Sequence, residues 1–359
     1  MTSTKVEIEF KNLSKNVNYL NQIIDKEVEV LAVVKANAYG HGSVEITKAL
    51  IELGVDRFAV ATLKEARELI DAKIQCYILI LGSISESEIL EAVKNDIIFT
   101  IYDLNQLNFI NSLKGETISF HLKVDTGMNR LGIDVDQIDE TIRIIANNSN
   151  LNLEGVYTHF AESEKEESNF TKGQIREFNK IIEKYKSSIK NIKFFHMANS
   201  SGIINYPDSH LNMVRPGILM YGLAKNPGDK LSPVMRLKSL IIKIRNIDKG
   251  ETVSYGRDFT AEKDMKIAVI PIGYADGLPR FLSNKGCVFH NGRQCRIVGT
   301  ICMDLTMIDV TECADAKVGD EVIIFDDSLH TANDIALAIK TIPYEIVCGI
   351  SKRIKRVYL

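Results

Sequence analysis

The segment VEVLAVVKANAYGHG, residues 28–42, joins a run of apolar, mostly β-branched residues to a lysine and then to small residues and glycines. The apolar run predicts a buried strand that leads into Lys35. The small residues after it predict that the backbone approaches a ligand closely. A lysine withdrawn from water has a lowered pKa and forms a Schiff base with an aldehyde. Lys35 is therefore a candidate reactive amine, although most lysines lie in solvent.

Seven further apolar runs follow the same plan, and most are followed by a segment with helical periodicity. They are RFAVA (57–61), CYILILG (76–82), IIFTI (97–101), ISFHLKVD (118–125), LEGVYTHF (153–160), KFFHMA (193–198) and MVRPGILMYG (213–222). Eight strands buried on both faces predict an α/β fold, an N-terminal (β/α)₈ barrel of the TIM type. The alternative is an open doubly wound sheet, but no GxGxxG fingerprint follows the first strand.

From about residue 231 the pattern changes to apolar runs between Gly and Asp turns. Examples are RLKSLIIKIRNI (236–247), KIAVIPIGYADG (266–277) and CRIVGTICMDLTMIDV (295–310). Long helical segments are largely absent until TANDIALAIKTI (331–342). We therefore predict two domains, a barrel over residues 1–230 and a mainly β domain over residues 231–359.

Composition narrows the class of protein. The formal charge of -3 and the scattered Lys and Arg residues do not indicate a nucleic-acid partner. The longest apolar runs are far shorter than the roughly 20 residues of a spanning helix, so no membrane partner is expected. The six cysteines show no CxxC pairing, which predicts reduced thiols and no metal site. Because the start of the chain does not resemble a secretory signal, we expect a cytoplasmic protein.

The segment VVKANAYGHG (33–42) resembles the cofactor-binding signature of alanine racemases, which are pyridoxal-phosphate (PLP) enzymes. Further matches follow in the family's order: HLKVDTGMNRLG (121–132), HMANSSG (196–202), VRPGILMYG (214–222), SYG (254–256), GYADG (273–277), ICMD (301–304) and IPYEI (342–346). The resemblance implies a barrel followed by a C-terminal β domain, with the first residues of the chain, roughly nine, packed against that second domain.

The resemblance implies that Lys35 holds PLP covalently. It also implies a phosphate pocket built from Tyr39, Asn199, Ser200, the backbone of Gly217 and Ile218, and Tyr344. Barrels often bind phosphate on the loops after strands seven and eight, where four of these residues lie. Arg215 resembles the arginine that faces the pyridine nitrogen. Because arginine keeps its proton, it would leave that nitrogen unprotonated.

A racemase needs an acid/base group on each face of the substrate α-carbon. The resemblance assigns these roles to Lys35 and to Tyr255 of the partner subunit. His159 would assist the tyrosine, whose pKa is ordinarily near 10.

The resemblance also covers residues around the substrate. Arg130 would bind the substrate carboxylate and the cofactor, and Lys123 matches a lysine that is carbamylated in some members. The substrate wall would consist of Tyr274, Met303 and Asp304.

We therefore expect an alanine racemase that forms a homodimer with shared active sites, acts on a small amino acid and supplies D-alanine for peptidoglycan. Three alternatives stay open: a serine or broad-specificity racemase, a non-catalytic PLP-carrier barrel, and a decarboxylase of related fold. The carrier lacks a C-terminal β domain and a second base, and the decarboxylase is longer. The sequence departs from the family at Leu278, after GYADG, and at Leu305, after ICMD, which affects the expected shape of the pocket entrance.

Overall fold

The computed structural model describes residues 4–115, 117–187, 192–225 and 230–359. One strand, β1 (Thr4–Ile8), and one helix, α1 (Phe10–Ile23), precede a sheet of eight strands. These strands are β2 (Glu29–Val33), β3 (Arg57–Val60), β4 (Tyr77–Ile80), β5 (Ile98–Ile101), β6 (Ile118–Lys123), β7 (Leu151–Tyr157), β8 (Phe194–His196) and β9 (Met213–Val214). All eight predicted strands are therefore present.

The eight strands are parallel and pair in chain order from β2 to β8, while β9 pairs with the other edge of β2. The bridge between Asn199 and Arg215 then connects the β8 and β9 ends, which nearly closes the sheet. The predicted barrel is confirmed, and the open doubly wound sheet is wrong. The last strand is only two residues long, because RPGI leaves the sheet at the cavity described below.

Helical segments alternate with these strands along the chain. They are α2 (Lys35–Tyr39), α3 (Ser43–Glu52), α4 (Leu63–Asp71), α5 (Glu86–Lys94), α6 (Leu104–Ser112), α7 (Ile138–Ala146), α8 (Asn169–Tyr185) and α9 (Ser200–Asn205). Side chains cap several of them, for example Thr62 on α4 and Asp103 on α6. Such caps satisfy backbone N–H groups that a helix leaves free at its start.

The second half of the chain is mainly β. Its strands are β10 (Met235–Leu240), β11 (Lys243–Ile247), β12 (Thr252–Val253), β13 (Phe259–Thr260), β14 (Met265–Ile270), β15 (Cys287–His290), β16 (Arg293–Arg296), β17 (Thr306–Asp309), β18 (Glu321–Phe325) and β19 (Lys355–Tyr358), with helices α10 (Ala332–Ala338) and α11 (Pro343–Gly349). Together with β1 they form sheets of six, three and two strands.

Strand β1 belongs to the six-stranded sheet, where it pairs with β10 and with β19. The start of the chain therefore lies against the second half, and the backbone N–H of Phe10 donates to the carbonyl of Leu359. The predicted division between residues 230 and 231 lies between β9 and β10 and stays a prediction.

The barrel strands are buried on both faces. On β5 and β6, Phe99 and Phe120 share one face and Thr100 and His121 the other, and all four side chains are fully buried. All six cysteines are free thiols. Among the described residues no helix combines the length and the apolar character needed to cross a membrane.

Candidate active site

Lys35 opens a turn of unusual handedness. Ala36, Asn37, Ala38 and Tyr39 have φ values of 52°, 58°, 51° and 52°, so the backbone of α2 is left-handed. For residues with a Cβ this conformation costs about 1–2 kcal/mol each, and consecutive examples are rare. Gly40 ends the turn, and a Cβ there would lie 2.1 Å from the carbonyl oxygen of Val347. Surrounding contacts must therefore stabilise the turn.

Several side chains supply those contacts. Nδ1–H of His41 donates to the carbonyls of Ala38 and Tyr39, both at 2.9 Å, and the ring stacks on Tyr221 with 4.4 Å between ring centroids. Glu65 accepts the backbone N–H of Ala36 at 2.7 Å. Burial lowers the pKa of His41 to about 4, so this ring is neutral near pH 7.

A cavity of about 310 Å³ lies at the C-terminal ends of the barrel strands, the end where barrel enzymes place their sites. Its lining contains every predicted cofactor residue together with Lys123. The full lining is Val33, Lys35, Tyr39, Ala61, Leu81, Gly82, Lys123, Arg130, Leu131, Tyr157, His159, Asn199, Ser200, Arg215, Gly217, Ile218 and Tyr344. Tyr344 reaches it from α11 of the second half.

The cavity is strongly cationic. Lys35, Lys123, Arg130 and Arg215 line it, and no residue of the lining given above is acidic. Burial lowers the pKa of Lys35, and the charge of Arg130 lowers it further. Burial, with Arg130 and Arg215, also lowers the pKa of Lys123 to about 8. The site therefore favours anionic ligands and contains amines that lose their protons more easily than usual.

Arg215 is held from several sides. Its Nη1 lies 2.7 Å from Nδ1 of His196, and its Nη2 donates to the carbonyls of Thr158 at 2.7 Å and Met197 at 3.0 Å. Nη2 also lies 3.3 Å from Nδ1 of His159. Burial lowers the pKa of Arg215 to about 10, which still leaves the guanidinium charged near neutrality. It can donate hydrogen bonds but cannot accept them.

This fixed donor determines the tautomers of two buried histidines. Since Nδ1 of His196 must accept from Arg215, its Nε2 carries the proton and donates to Nδ1 of His121 at 2.9 Å. His121 then donates from Nε2 to the hydroxyl of Tyr77 at 2.7 Å. Burial lowers the pKa of His121 to about 3 and that of His196 well below its usual value. Both rings are neutral. In each hydrogen bond of this series the residue nearer to Arg215 is the donor.

The opposite corner of the cavity carries hydroxyl groups. Oγ of Ser200 accepts the backbone N–H of Gly217 at 2.9 Å and that of Leu219 at 3.2 Å. A Cβ on Gly217 would lie 2.4 Å from the hydroxyl oxygen of Tyr39, so only glycine fits there. The Tyr344 ring packs on Tyr39 with 5.8 Å between centroids. Hydroxyls and backbone N–H groups of this kind suit a phosphate.

Four predicted residues lie elsewhere, on what we call the loop face, defined by Tyr255, Tyr274, Met303 and Asp304. Tyr255 is 73% exposed and Met303 is 53% exposed, and none of the four lines the cavity of its own chain. The loops are nevertheless well packed. Tyr274 and Ala275 donate backbone N–H groups to the carbonyls of Cys302 and Met303.

The side chain of Arg353 also fastens the loop face. Its Nε donates to Asp276 at 2.6 Å and its Nη2 to Asp304 at 2.7 Å. The GYADG and ICMD segments are thus joined by backbone and by side chains. An exposed face with this much internal bonding is rigid before anything covers it.

Sequence reasoning missed several residues that complete the site. Tyr157 lines the cavity, its ring stacks on His196 at 4.7 Å, and the Arg215 guanidinium lies 5.1 Å from its centroid. His196 begins the segment HMANSSG and Tyr157 lies in the run LEGVYTHF, but the sequence pattern pointed to other residues of these segments. Nothing in the sequence signals Glu65, which contacts the Lys35 turn from the next strand–helix unit.

Comparisons with known proteins agree across the whole chain. The description "Alanine racemase, N-terminal domain" matches residues 8–225, and "Alanine racemase, C-terminal domain" matches residues 234–358. "Alanine racemase 2" of Caldanaerobacter subterraneus subsp. tengcongensis is 41% identical, over 99% of this chain and 95% of that protein.

Solved structures give the same result. An alanine racemase of Clostridium difficile 630 superposes with a TM-score of 0.93 at 36% identity, covering 100% of this chain and 96% of that one. An alanine racemase from Bartonella henselae, described with covalently bound pyridoxal phosphate, superposes with a TM-score of 0.92 at 30% identity and covers 100% of both chains.

Proposed function

Because this chain belongs to the alanine racemase family, we propose that it interconverts L-alanine and D-alanine with pyridoxal 5'-phosphate bound at Lys35. The observation that carries the proposal is the cationic cavity, whose lining brings together the amine of Lys35, the guanidinium of Arg215 and the hydroxyls of Tyr39, Ser200 and Tyr344. A volume of about 310 Å³ is in the range of pockets that bind small molecules.

The residues present fit the cofactor. The cradle at Gly217, with the hydroxyls of Tyr39, Ser200 and Tyr344, suits the phosphate, and the amine of Lys35 suits the aldehyde. Arg215 suits the ring nitrogen, to which it would donate a hydrogen bond without losing its proton. When bound, PLP withdraws electrons from an attached amino acid and so acidifies its α-hydrogen.

Lys35 acts on one face of the substrate. Its lowered pKa means that a larger fraction of the amine is unprotonated near neutral pH, which a proton acceptor requires. Arg130, at the cavity wall, binds the substrate carboxylate. Lys123 is a candidate for carbamylation, because CO₂ adds to a neutral amine and burial lowers its pKa to about 8. The resulting anion would offset the surrounding cations and orient Arg130.

Tyr255 of the partner subunit acts on the other face. Within one chain Tyr255 is exposed on the loop face and does not line the cavity. A homodimer in which the loop face of each subunit covers the cavity of the other would bring this hydroxyl to the substrate. Tyr274, Met303 and Asp304 would then form the outer wall. His159, which contacts Arg215, would stand next to the incoming tyrosine.

The remaining expectations concern substrate and cellular role. Tyr344 narrows the cavity beside Tyr39, which favours alanine over larger amino acids. A single hydroxyl or methyl group is worth only ~1–3 kcal/mol in such a pocket, so some turnover of serine is expected. We place the protein in the cytoplasm, where D-alanine is consumed in peptidoglycan synthesis.

A labelling experiment tests the proposal. The protein incubated with PLP should turn yellow, and borohydride followed by peptide mapping should fix the label on Lys35. Racemisation of L-alanine and of L-serine should then be compared, with alanine turned over faster. Labelling at another lysine would contradict the cofactor assignment, and colour without any racemisation would favour the carrier alternative.

A further inference from the structure

Glu65 contacts the backbone that carries Lys35, although none of the matched motifs contains it. Its Oε1 accepts the backbone N–H of Ala36 at 2.7 Å, and its Oε2 accepts the backbone N–H of Ala61 at 2.7 Å. Ala36 directly follows Lys35, and Ala61 directly follows β3 and lines the cavity. One carboxylate therefore joins the segments that leave two neighbouring barrel strands.

The contact at Ala36 occurs where the left-handed turn begins. Inside the turn, Ala38 and Gly40 donate their N–H groups to the carbonyls of Val34 and Ala36. The N–H of Ala36 instead donates to Glu65. Hydrogen bonds to an ionised acceptor are shorter and roughly twice as strong as neutral ones. This bond is therefore well suited to fixing a backbone conformation that residues with a Cβ adopt rarely.

The position of Glu65 is itself fixed by its helix. Thr62 caps α4, and its side chain accepts the backbone N–H of Glu65 at 3.2 Å. Glu65 thus lies in the first turn of α4, where the helix dipole favours a negative charge. The same charge acts on Lys35: it opposes the lowering of the Lys35 pKa that burial and Arg130 cause.

We propose that Glu65 is a positioning residue for Lys35. The Glu65 carboxylate holds the left-handed turn that directs the Lys35 amine into the cavity, and it also places a negative charge near that amine. The inference rests on the proposed function, in which Lys35 binds PLP. Geometry and charge are separate parts of this role, and two substitutions separate them. Glu65→Gln removes the charge at nearly constant shape, while Glu65→Asp keeps the charge but is too short to span both N–H groups.

The experiment measures how fast cofactor-free protein reacts with PLP between about pH 6 and pH 10, followed by the appearance of colour. The rate at high pH reports how well the amine is placed, and the midpoint of the profile reports the pKa of Lys35. Glu65→Gln should lower the high-pH rate by about tenfold or more and move the midpoint to lower pH. Glu65→Asp should lower the rate similarly and leave the midpoint in place.

Glu68→Gln is the matched control. Glu68 lies one turn further along α4 and contacts Ser43 at 3.3 Å and Lys352 at 3.7 Å, so this variant should match the wild type in rate and midpoint. Exchange of the Ala36 amide hydrogen in cofactor-free protein gives a second readout, and both Glu65 variants should accelerate it. Should Glu65→Gln fail to fold, the rate and the amide exchange of Glu65→Asp still decide the geometric part.

Two results overturn the inference, and they differ from each other. Glu65 variants that equal Glu68→Gln in rate, midpoint and amide exchange refute the role of Glu65 while leaving Lys35 as the cofactor lysine. A wild-type protein that reacts with PLP at no lysine, or at another one, refutes the proposed function and the inference with it.

Discussion

The barrel cavity and the loop face differ in how much of their chemistry one chain completes. In the cavity, Arg215 is 3% exposed and both terminal nitrogens of its guanidinium are hydrogen-bonded. On the loop face, Tyr255 and Met303 extend into solvent. An exposed cluster of large apolar side chains usually marks a binding surface. The difference supports the proposal that the cavity can bind the cofactor within one chain, whereas Tyr255 can reach a substrate only if a second chain covers the cavity.

The two regions are also held differently. The cavity depends on side chains that hydrogen-bond from one barrel strand to another, such as His121 of β6 with His196 of β8. On the loop face, close backbone contacts accompany the side-chain hydrogen bonds of Arg353. At Gly273 a Cβ would lie 2.3 Å from the carbonyl oxygens of Cys302 and Met303, so the loops touch directly. A well-bonded exposed face loses little conformational entropy when it docks on another surface, as the proposed dimer requires.

The largest expected effect tests whether the two regions meet across a dimer interface. Lys35→Ala and Tyr255→Phe should each reduce racemisation of L-alanine by about 100- to 10,000-fold, the usual contribution of an acid/base group. When the two inactive proteins are unfolded, mixed and refolded, about half of the dimers are hybrids. Each hybrid has one intact site of two, so about a quarter of wild-type activity should return.

The control is Tyr19→Phe, which removes a hydroxyl from α1, and it should keep full activity alone. Subunit exchange must be verified with two affinity tags. If hybrids form and activity stays at the level of the two single variants, each subunit contains both of its acid/base groups. The cavity of one chain is then not completed by the loop face of another.

A smaller effect tests whether PLP binds in the barrel cavity, separately from the loop face. Gly217→Ala would place a Cβ 2.4 Å from the Tyr39 hydroxyl, and Tyr39 is buried between the rings of Tyr221 and Tyr344. Overpacking of this kind costs about 1–3 kcal/mol, so the Kd for PLP should rise roughly five- to 150-fold. Titration of cofactor-free protein with PLP, followed by absorbance, measures it.

Gly173→Ala is the matched control for that substitution. Gly173 lies inside α8, and the nearest atom to an added Cβ is 3.9 Å away on Arg176. The variant should bind PLP normally and gain about 0.5–1 kcal/mol of stability, because glycine is unfavourable inside helices. Equal Kd values for the two variants would show that the cradle at Gly217 does not contact the cofactor.

The sequence predicted the barrel because its signals are local. A strand buried on both faces reads as an apolar run, and the segment around Lys35 shows this within ten residues. The change of texture near residue 231 likewise follows from strand patterns in adjacent segments. The left-handed turn could not be predicted, because Ala36, Asn37 and Ala38 adopt it against their intrinsic preference. Contacts from distant segments impose it.

The site shows the same limit. Residues inside recognisable motifs, such as Arg215 and Ser200, line one cavity, and their roles toward the cofactor stay predictions. The chain from Arg215 through His196 and His121 to Tyr77 was not predicted, because its members come from four strands or strand ends and share no spacing. Partnerships of this kind depend on how β4, β6 and β8 are arranged around the barrel. Pattern reasoning along the sequence does not contain that information.

The smallest effect concerns this histidine chain and the pH dependence of stability. His121 has a pKa of about 3 in the folded protein, against about 6.5 when unfolded. Above pH 6.5 the His121 ring is neutral in both the folded and the unfolded state, so it does not change the stability with pH. Below it the unfolded state takes up a proton that the folded state refuses, so stability falls with pH by about 1.4 kcal/mol per unit until the folded pKa is reached. Between pH 6.5 and 5 this one ring therefore accounts for about 2 kcal/mol of stability.

His121→Gln removes that contribution. The free energy of unfolding of the variant, measured with urea at fixed protein concentration, should therefore fall less steeply between pH 6.5 and 5 than that of the wild type, even if the variant is less stable at every pH. Equal slopes for wild type and His121→Gln would mean that His121 is not held neutral, and the tautomer order from Arg215 to Tyr77 would then be wrong.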